Sequence, residues 1–187
     1  MKKINFSVII IYILIFNCLY YFSCEKKEPL VTPVPDEIMQ KVIADLELDK
    51  DFSGEIYKSG SENQKLSEEK AKELFSGEEK DKQIIDLEKI EKYSIRLGSD
   101  SSANEIGIFR TYNKSSSVKY IEDIVKNRLL AVQHKFKDYI SEDPDSQSPI
   151  TTANSGEVRT YGQYIYYIIH PDKDKIFEKI EDIFRSE

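Results

Sequence analysis

Glu157-Val158-Arg159-Thr160-Tyr161-Gly162-Gln163-Tyr164-Ile165-Tyr166-Tyr167-Ile168-Ile169-His170 is the stretch that decides the fold. Two runs rich in β-branched and aromatic residues flank a two-residue break, Gly162-Gln163, and glycine at the first central position of such a break suits the twist of a hairpin. The spacing predicts antiparallel strands over 157–161 and 164–170. Side chains alternate across a strand, so Tyr164 and Tyr166 share one face while Ile165, Tyr167 and Ile169 share the other. Tyr161 adds a further tyrosine across the turn. Both faces are rich in apolar area.

Upstream, the residues 93–97 and 104–112 alternate as strands do, with Gly98-Ser99-Asp100 between them. In the second of these Ile106 and Ile108 fall on one face, and Glu105, Gly107 and Phe109 on the other. Residues 86–92 read as a short helix. Over 118–139, Val118, Ile121, Val125, Leu129, Val132 and Phe136 recur at spacings of three and four, a single apolar stripe on a long helix. Pro171-Asp172 opens a last helix with Ile176, Phe177, Ile180, Ile183 and Phe184 on one side. Earlier, Asp36 offers a cap for a short helix carrying Ile38, Val42 and Leu46, and Ser67 for one carrying Ala71, Leu74 and Phe75. The resulting expectation is an α+β, two-layer domain: a small antiparallel sheet backed by the long helix and the C-terminal helix, with short N-terminal helices at an edge. Residues 141–155, rich in Ser, Asp, Pro and Thr, read as a loop.

At the other end Lys2 and Lys3 precede an apolar run over 6–22, then Ser23-Cys24 and Glu25-Lys26-Lys27-Glu28. A positive start, a short apolar stretch and a small residue before the cleavage point make a secretory signal. Cys24 has the neighbours of a lipid acceptor, whereas Cys18 follows Phe16-Asn17. The alternative is an uncleaved anchor, for which 17 residues is at the lower limit of what spans a bilayer. The chain thus divides into a lipoprotein signal (1–23), a proline-rich tether (24–35), a mobile and partly helical region (36–83) and the α+β domain (84–187). Two or three acyl chains, at about 0.8 kcal/mol per buried methylene, make anchoring effectively permanent. The expected address is the cell membrane or outer membrane, with the domain outside the cytoplasm.

Without residues 1–23, 34 acidic side chains face 25 basic ones, a balance that argues against nucleic acid as partner, since phosphate binding needs a basic field. With Cys24 acylated no free thiol remains, which leaves neither a disulfide nor thiol chemistry. No cofactor or metal is expected. A calcium loop starting at Asp143 would need Gly and Glu where Ser148 and Asn154 stand. Asp172 and Asp174 suit the first turn of a helix without a metal. His134 falls on the polar side of the long helix and His170 at a strand-to-helix junction, and neither has a paired nucleophile or acid nearby in the sequence.

Glu105, Arg110, Arg128 and Lys135 remain as candidates. Arg128 and Lys135 lie two turns apart on one helix edge, where they either flank the buried stripe with charges in water or, with Arg110, clamp an anion. The tyrosines 161, 164 and 166 are the other candidates. In a two-layer fold one sheet face lies open unless the early helices, a loop or a partner covers it.

Three patterns resemble a bacterial family known as domain of unknown function 4358, found largely in lipoproteins. They are Asn104-Glu105-Ile106-Gly107-Ile108-Phe109-Arg110, then Lys126-Asn127-Arg128-Leu129 with Gln133-His134-Lys135-Phe136-Lys137-Asp138-Tyr139, and Gly162-Gln163-Tyr164-Ile165 with Pro171-Asp172. The resemblance covers about 87–184 and implies a single secreted domain tied to a membrane, with no activity attached. The expected function is therefore a membrane-anchored envelope lipoprotein, not an enzyme, that binds another envelope protein or itself through Tyr161, Tyr164 and Tyr166. The alternative is an anion-binding domain with a basic pocket between the long helix and the sheet.

Overall fold

Five short segments of alternating apolar residues pair into one antiparallel sheet in the computed structural model, which describes residues 32–75, 85–112, 115–137 and 148–186. The strands are β1 (Ile56–Lys58), β2 (Ile90–Leu97), β3 (Glu105–Thr111), β4 (Glu157–Tyr161) and β5 (Tyr164–Ile169), in the order β1-β2-β3-β5-β4. The signal segment, Cys24 and most of the tether, with Asp143, Asp145 and Tyr139, lie outside the described residues. The folded unit begins at Pro33.

The hairpin forms as its sequence predicts: Tyr161 pairs with Tyr164, and Gly162 takes a φ of 55° that a side chain would resist. β3 runs between β2 and β5, which makes it the central strand, and all seven of its residues are buried. Residues 86–92 do not form a helix. A single 3-10 turn over Leu87–Lys89, held by the Asp86 carboxylate accepting from the Glu88 amide at 3.1 Å, leads directly into β2 at Ile90.

Among the described residues five helices pack on this sheet: α1 (Pro35–Asp45), α2 (Glu68–Phe75), α3 (Ser115–Lys137), α4 (Ser148–Asn154) and α5 (Lys173–Ser186). Pro35 rather than Asp36 opens α1; Val34 stands at its N-cap without a side-chain bond, and Asp36 and Glu37 occupy the first turn. The stripe of α3 is buried from Ile121 to Phe136. In α5 Ile176, Phe177, Ile180, Ile183 and Phe184 all point inward. The expected loop over 141–155 contains α4, which buries Thr152 and Ala153.

The α+β class, the antiparallel sheet, the long helix and the C-terminal helix are as the sequence implies, but the helices divide between both sheet faces. Phe109, Ile165, Tyr167 and Ile169 meet α2, α3 and α4 in one core, while Ile106, Ile108, Tyr164, Tyr166 and Ile168 meet α1 and α5 in a second. A third layer therefore joins the expected two, and of the coverings left open by the sequence it is an early helix, α1, together with α5, that closes the second sheet face. The described part of the region over 36–83, expected as mobile, supplies that layer through Ile38, Met39, Val42 and Ile43 of α1; it also supplies strand β1 and places Leu66 and Phe75 in the first core, while residues 76–83 lie outside the described residues. Two-sided burial also explains why β5 is apolar on both faces: each face has its own helices to meet.

Candidate functional site

Alternation along β3 aims Glu105 at α3. On α3, Arg128 lies three residues after Val125 and four before Val132, at the margin of the apolar stripe, so its guanidinium reaches the sheet. Its Nε donates to Glu105 Oε1 at 2.9 Å and its Nη2 to Oε2 at 2.7 Å, a two-pronged pairing, while Nη1 donates to the Leu74 carbonyl at 3.1 Å. The Tyr167 hydroxyl donates to Glu105 Oε1 from the neighbouring strand. Tyr167 pairs with Gly107, and a Cβ at Gly107 would stand 2.2 Å from the tyrosine ring. Only glycine leaves room for that ring beside Glu105.

Burial works against the Arg128 charge, but the Glu105 carboxylate outweighs it and holds the guanidinium above its ordinary value. Burial, joined by the Glu105 charge, pushes the Tyr167 hydroxyl well above its ordinary value. These three side chains are a closed polar cluster inside an apolar core.

Above the cluster opens a cavity of about 540 Å³, bounded by the C-terminal half of α3, the end of α2 and the turn joining β2 to β3. Leu97, Ala103, Val132 and Phe136 form its apolar wall. Its rim holds Lys70, which bonds Glu73 at 2.9 Å and Glu55 at 3.2 Å. Those two carboxylates, Glu73 first, raise Lys70 above its ordinary value against the opposing effect of burial. Tyr57 donates to Glu55 at 2.7 Å, which together with Lys70 draws that carboxyl down; burial and then Glu55 push the Tyr57 hydroxyl up to about 12. Lys135 and Asp100 stand exposed at the mouth, and neither has an ion-pair partner among the described residues. The lining carries three cationic side chains against four acidic ones, so the cavity is mixed rather than basic.

Of the residues singled out in the sequence, Glu105, Arg128 and Lys135 converge here. Arg110 does not. It lies on the opposite sheet face, where Nη1 donates to the Pro33 carbonyl at 3.3 Å and Nη2 to Glu91 at 3.0 Å. The anion clamp of Arg110 with Arg128 and Lys135 is thereby ruled out, because strand alternation puts residues 105 and 110 on opposite faces. The exposed tyrosine face is corrected as well: Tyr164 is 4% exposed and Tyr166 1%, the latter with Phe177 at 5.7 Å and Phe184 at 5.8 Å between ring centroids. Tyr161 alone of the three is exposed, stacked on Phe184 at 4.7 Å.

His134 is exposed on α3. His170 is buried against Phe52; its Nδ1 accepts from the Asp172 amide at 3.0 Å, and its Nε2 lies 3.6 Å from Asp51. Asp172 pairs with Lys175 at 2.6 Å. Among the described residues no group of His, Cys, Asp and Glu side chains could hold a metal ion. The sequence reading missed Tyr167, taken as only apolar, and Lys70, Glu55 and Glu73, which fall in the region expected to be mobile. A glycine inside β3 facing an aromatic strand was the one local signal for Tyr167.

No family model, curated protein or solved structure matches the chain. The likeness to domain of unknown function 4358 rests on the quoted residue patterns alone.

Proposed function

We propose that the chain is a cell-envelope lipoprotein, anchored through a lipid on Cys24, whose domain binds a small zwitterionic ligand in the cavity beside Arg128. One observation carries the ligand reading: the charges at the floor and rim are paired within the protein, while Lys135 and Asp100 at the mouth offer one charge of each sign. A ligand bearing an ammonium and a carboxylate matches that pair, and an apolar substituent matches the wall of Leu97, Ala103, Val132 and Phe136. A simple anion would meet the excess of acidic side chains. The earlier expectation of a partner bound on an open sheet face loses its surface, since α1 and α5 cover it. The anchor is supported by the signal architecture and the Ser23-Cys24 junction.

Thermal unfolding with L-leucine, acetate or butylammonium tests the ligand reading. Leucine at a hundredfold its Kd should stabilise the fold by about 2.7 kcal/mol, whereas the two single-charge compounds should have little effect. Lys135→Gln with Asp100→Asn should abolish the leucine effect without changing the ligand-free stability by more than about 0.5 kcal/mol. No shift with leucine, or an equal shift with acetate, rejects the zwitterion reading. Metabolic labelling with a fatty acid should mark the wild type and not Cys24→Ala, and labelling of both removes Cys24 as the site.

A further inference from the structure

Among the described residues three large apolar side chains are exposed: Tyr112 (51%), Tyr161 (46%) and Leu130 (54%). Two of them sit at one end of the sheet. The Thr111 amide donates to the Gln163 carbonyl at 3.0 Å, which brings Tyr112, the next residue, beside the turn that follows Tyr161. At this same end the chain joins the domain. The Pro33 carbonyl accepts from the Tyr164 hydroxyl at 2.6 Å and from Arg110 at 3.3 Å, and Tyr164 pairs with both Arg110 and Tyr161.

Only residues 25–32 separate Cys24 from Pro33, a length that reaches about 30 Å at full extension. A lipid on Cys24 therefore limits this end of the sheet to within about 30 Å of the bilayer. Tyrosine is the side chain that suits such a place, with an apolar ring for the headgroup boundary and a hydroxyl for water. We infer that Tyr112 and Tyr161 rest in the lipid interface, and that the domain stands on the membrane by this end. The inference rests on the proposed Cys24 anchor. Its consequence for the ligand is that the cavity, at the Glu105 end of β3, opens about 20 Å further from the bilayer, which favours a water-soluble ligand over a lipid.

The chain contains no tryptophan, so a single introduced one is an unambiguous reporter. The acylated full chain is reconstituted in phosphatidylcholine vesicles with and without bromine on the acyl chains. Tyr161→Trp should be quenched at least twofold more by the brominated lipid than Asp100→Trp in the turn beside the cavity, with unchanged thermal unfolding of both variants. Tyr112→Trp should follow Tyr161→Trp. Protein that floats with the vesicles but shows equal quenching at residues 161, 112 and 100 overturns the docking while leaving the anchor intact. Protein that does not float removes the anchor, and the docking falls with it.

Discussion

Under α1 and α5 the sheet presents Ile106, Ile108, Tyr166 and Ile168, and the two tyrosine hydroxyls escape to the margin, Tyr164 to the Pro33 carbonyl and Tyr166 towards Glu181. Under α3 the same strands bury Glu105, with Arg128 and Tyr167 arranged around it and a cavity above. The first face is mostly apolar, with Arg110 and Glu91 paired towards its margin, and the second encloses an ion pair beneath a cavity. Burying an ion pair seldom gains stability over an apolar replacement of the same shape, so such a pair signals a use other than holding the fold together. Under the proposed function, packing falls to the α1 and α5 face and binding to the α3 face.

The largest effect should come from the sealed face. Tyr164→Ser with Tyr166→Ser removes two buried rings, each costing on the order of 3 to 5 kcal/mol, and should unfold the domain. A urea midpoint close to that of the wild type would mean that α5 does not cover this face. Next comes the charged face. Arg128→Met leaves Glu105 buried without its cation and should cost about 3 to 5 kcal/mol, whereas Glu105→Leu, Arg128→Met and Tyr167→Phe together should recover most of that loss. A triple variant as unstable as Arg128→Met alone would break the contrast, since the ion pair would then be what holds this face together.

The smallest effect is a pH dependence located on the sealed side of the Asp51 loop. Burial holds the His170 imidazole below its ordinary value, against the opposing charges of Asp51 and Asp172. Its neutral form is the one the fold favours, so the stability it contributes is complete above about pH 6.5 and is lost as pH falls below that towards the folded value. His170→Asn should therefore show a shallower fall in urea midpoint between pH 7 and pH 5 than the wild type. Equal slopes would show that burial of the imidazole is not what couples this loop to pH.

Where structure is local, the sequence is legible. The β4 to β5 hairpin has its turn glycine and its two alternating runs, and α5 has its proline, its first-turn acid and an unbroken apolar face. Long-range pairing is not legible in that way. β1 has three residues, too few for a period, and becomes a strand only because β2 offers it an edge. The role of α1 depended on how the helices share the second sheet face, with α5 over Tyr166 and α1 over β2 and β3. The same limit applied at the site. Arg128 and Lys135 could be placed on one helix edge, yet the pairing of Arg128 depends on Glu105, 23 residues away on β3, and the rim charges arrive from α2 and from Glu55 just before β1.

Gly107 remains the smallest feature of the site and has the widest consequence. With no Cβ there, the Tyr167 ring lies flat across the strand and its hydroxyl meets a carboxylate already held by Arg128. All three side chains in that floor are tied to one another by hydrogen bonds. Under the proposed function, a ligand settling on this floor would have little of the protein beneath it to order, and the ordering cost would fall on the exposed side chains of Lys135 and Asp100 at the mouth.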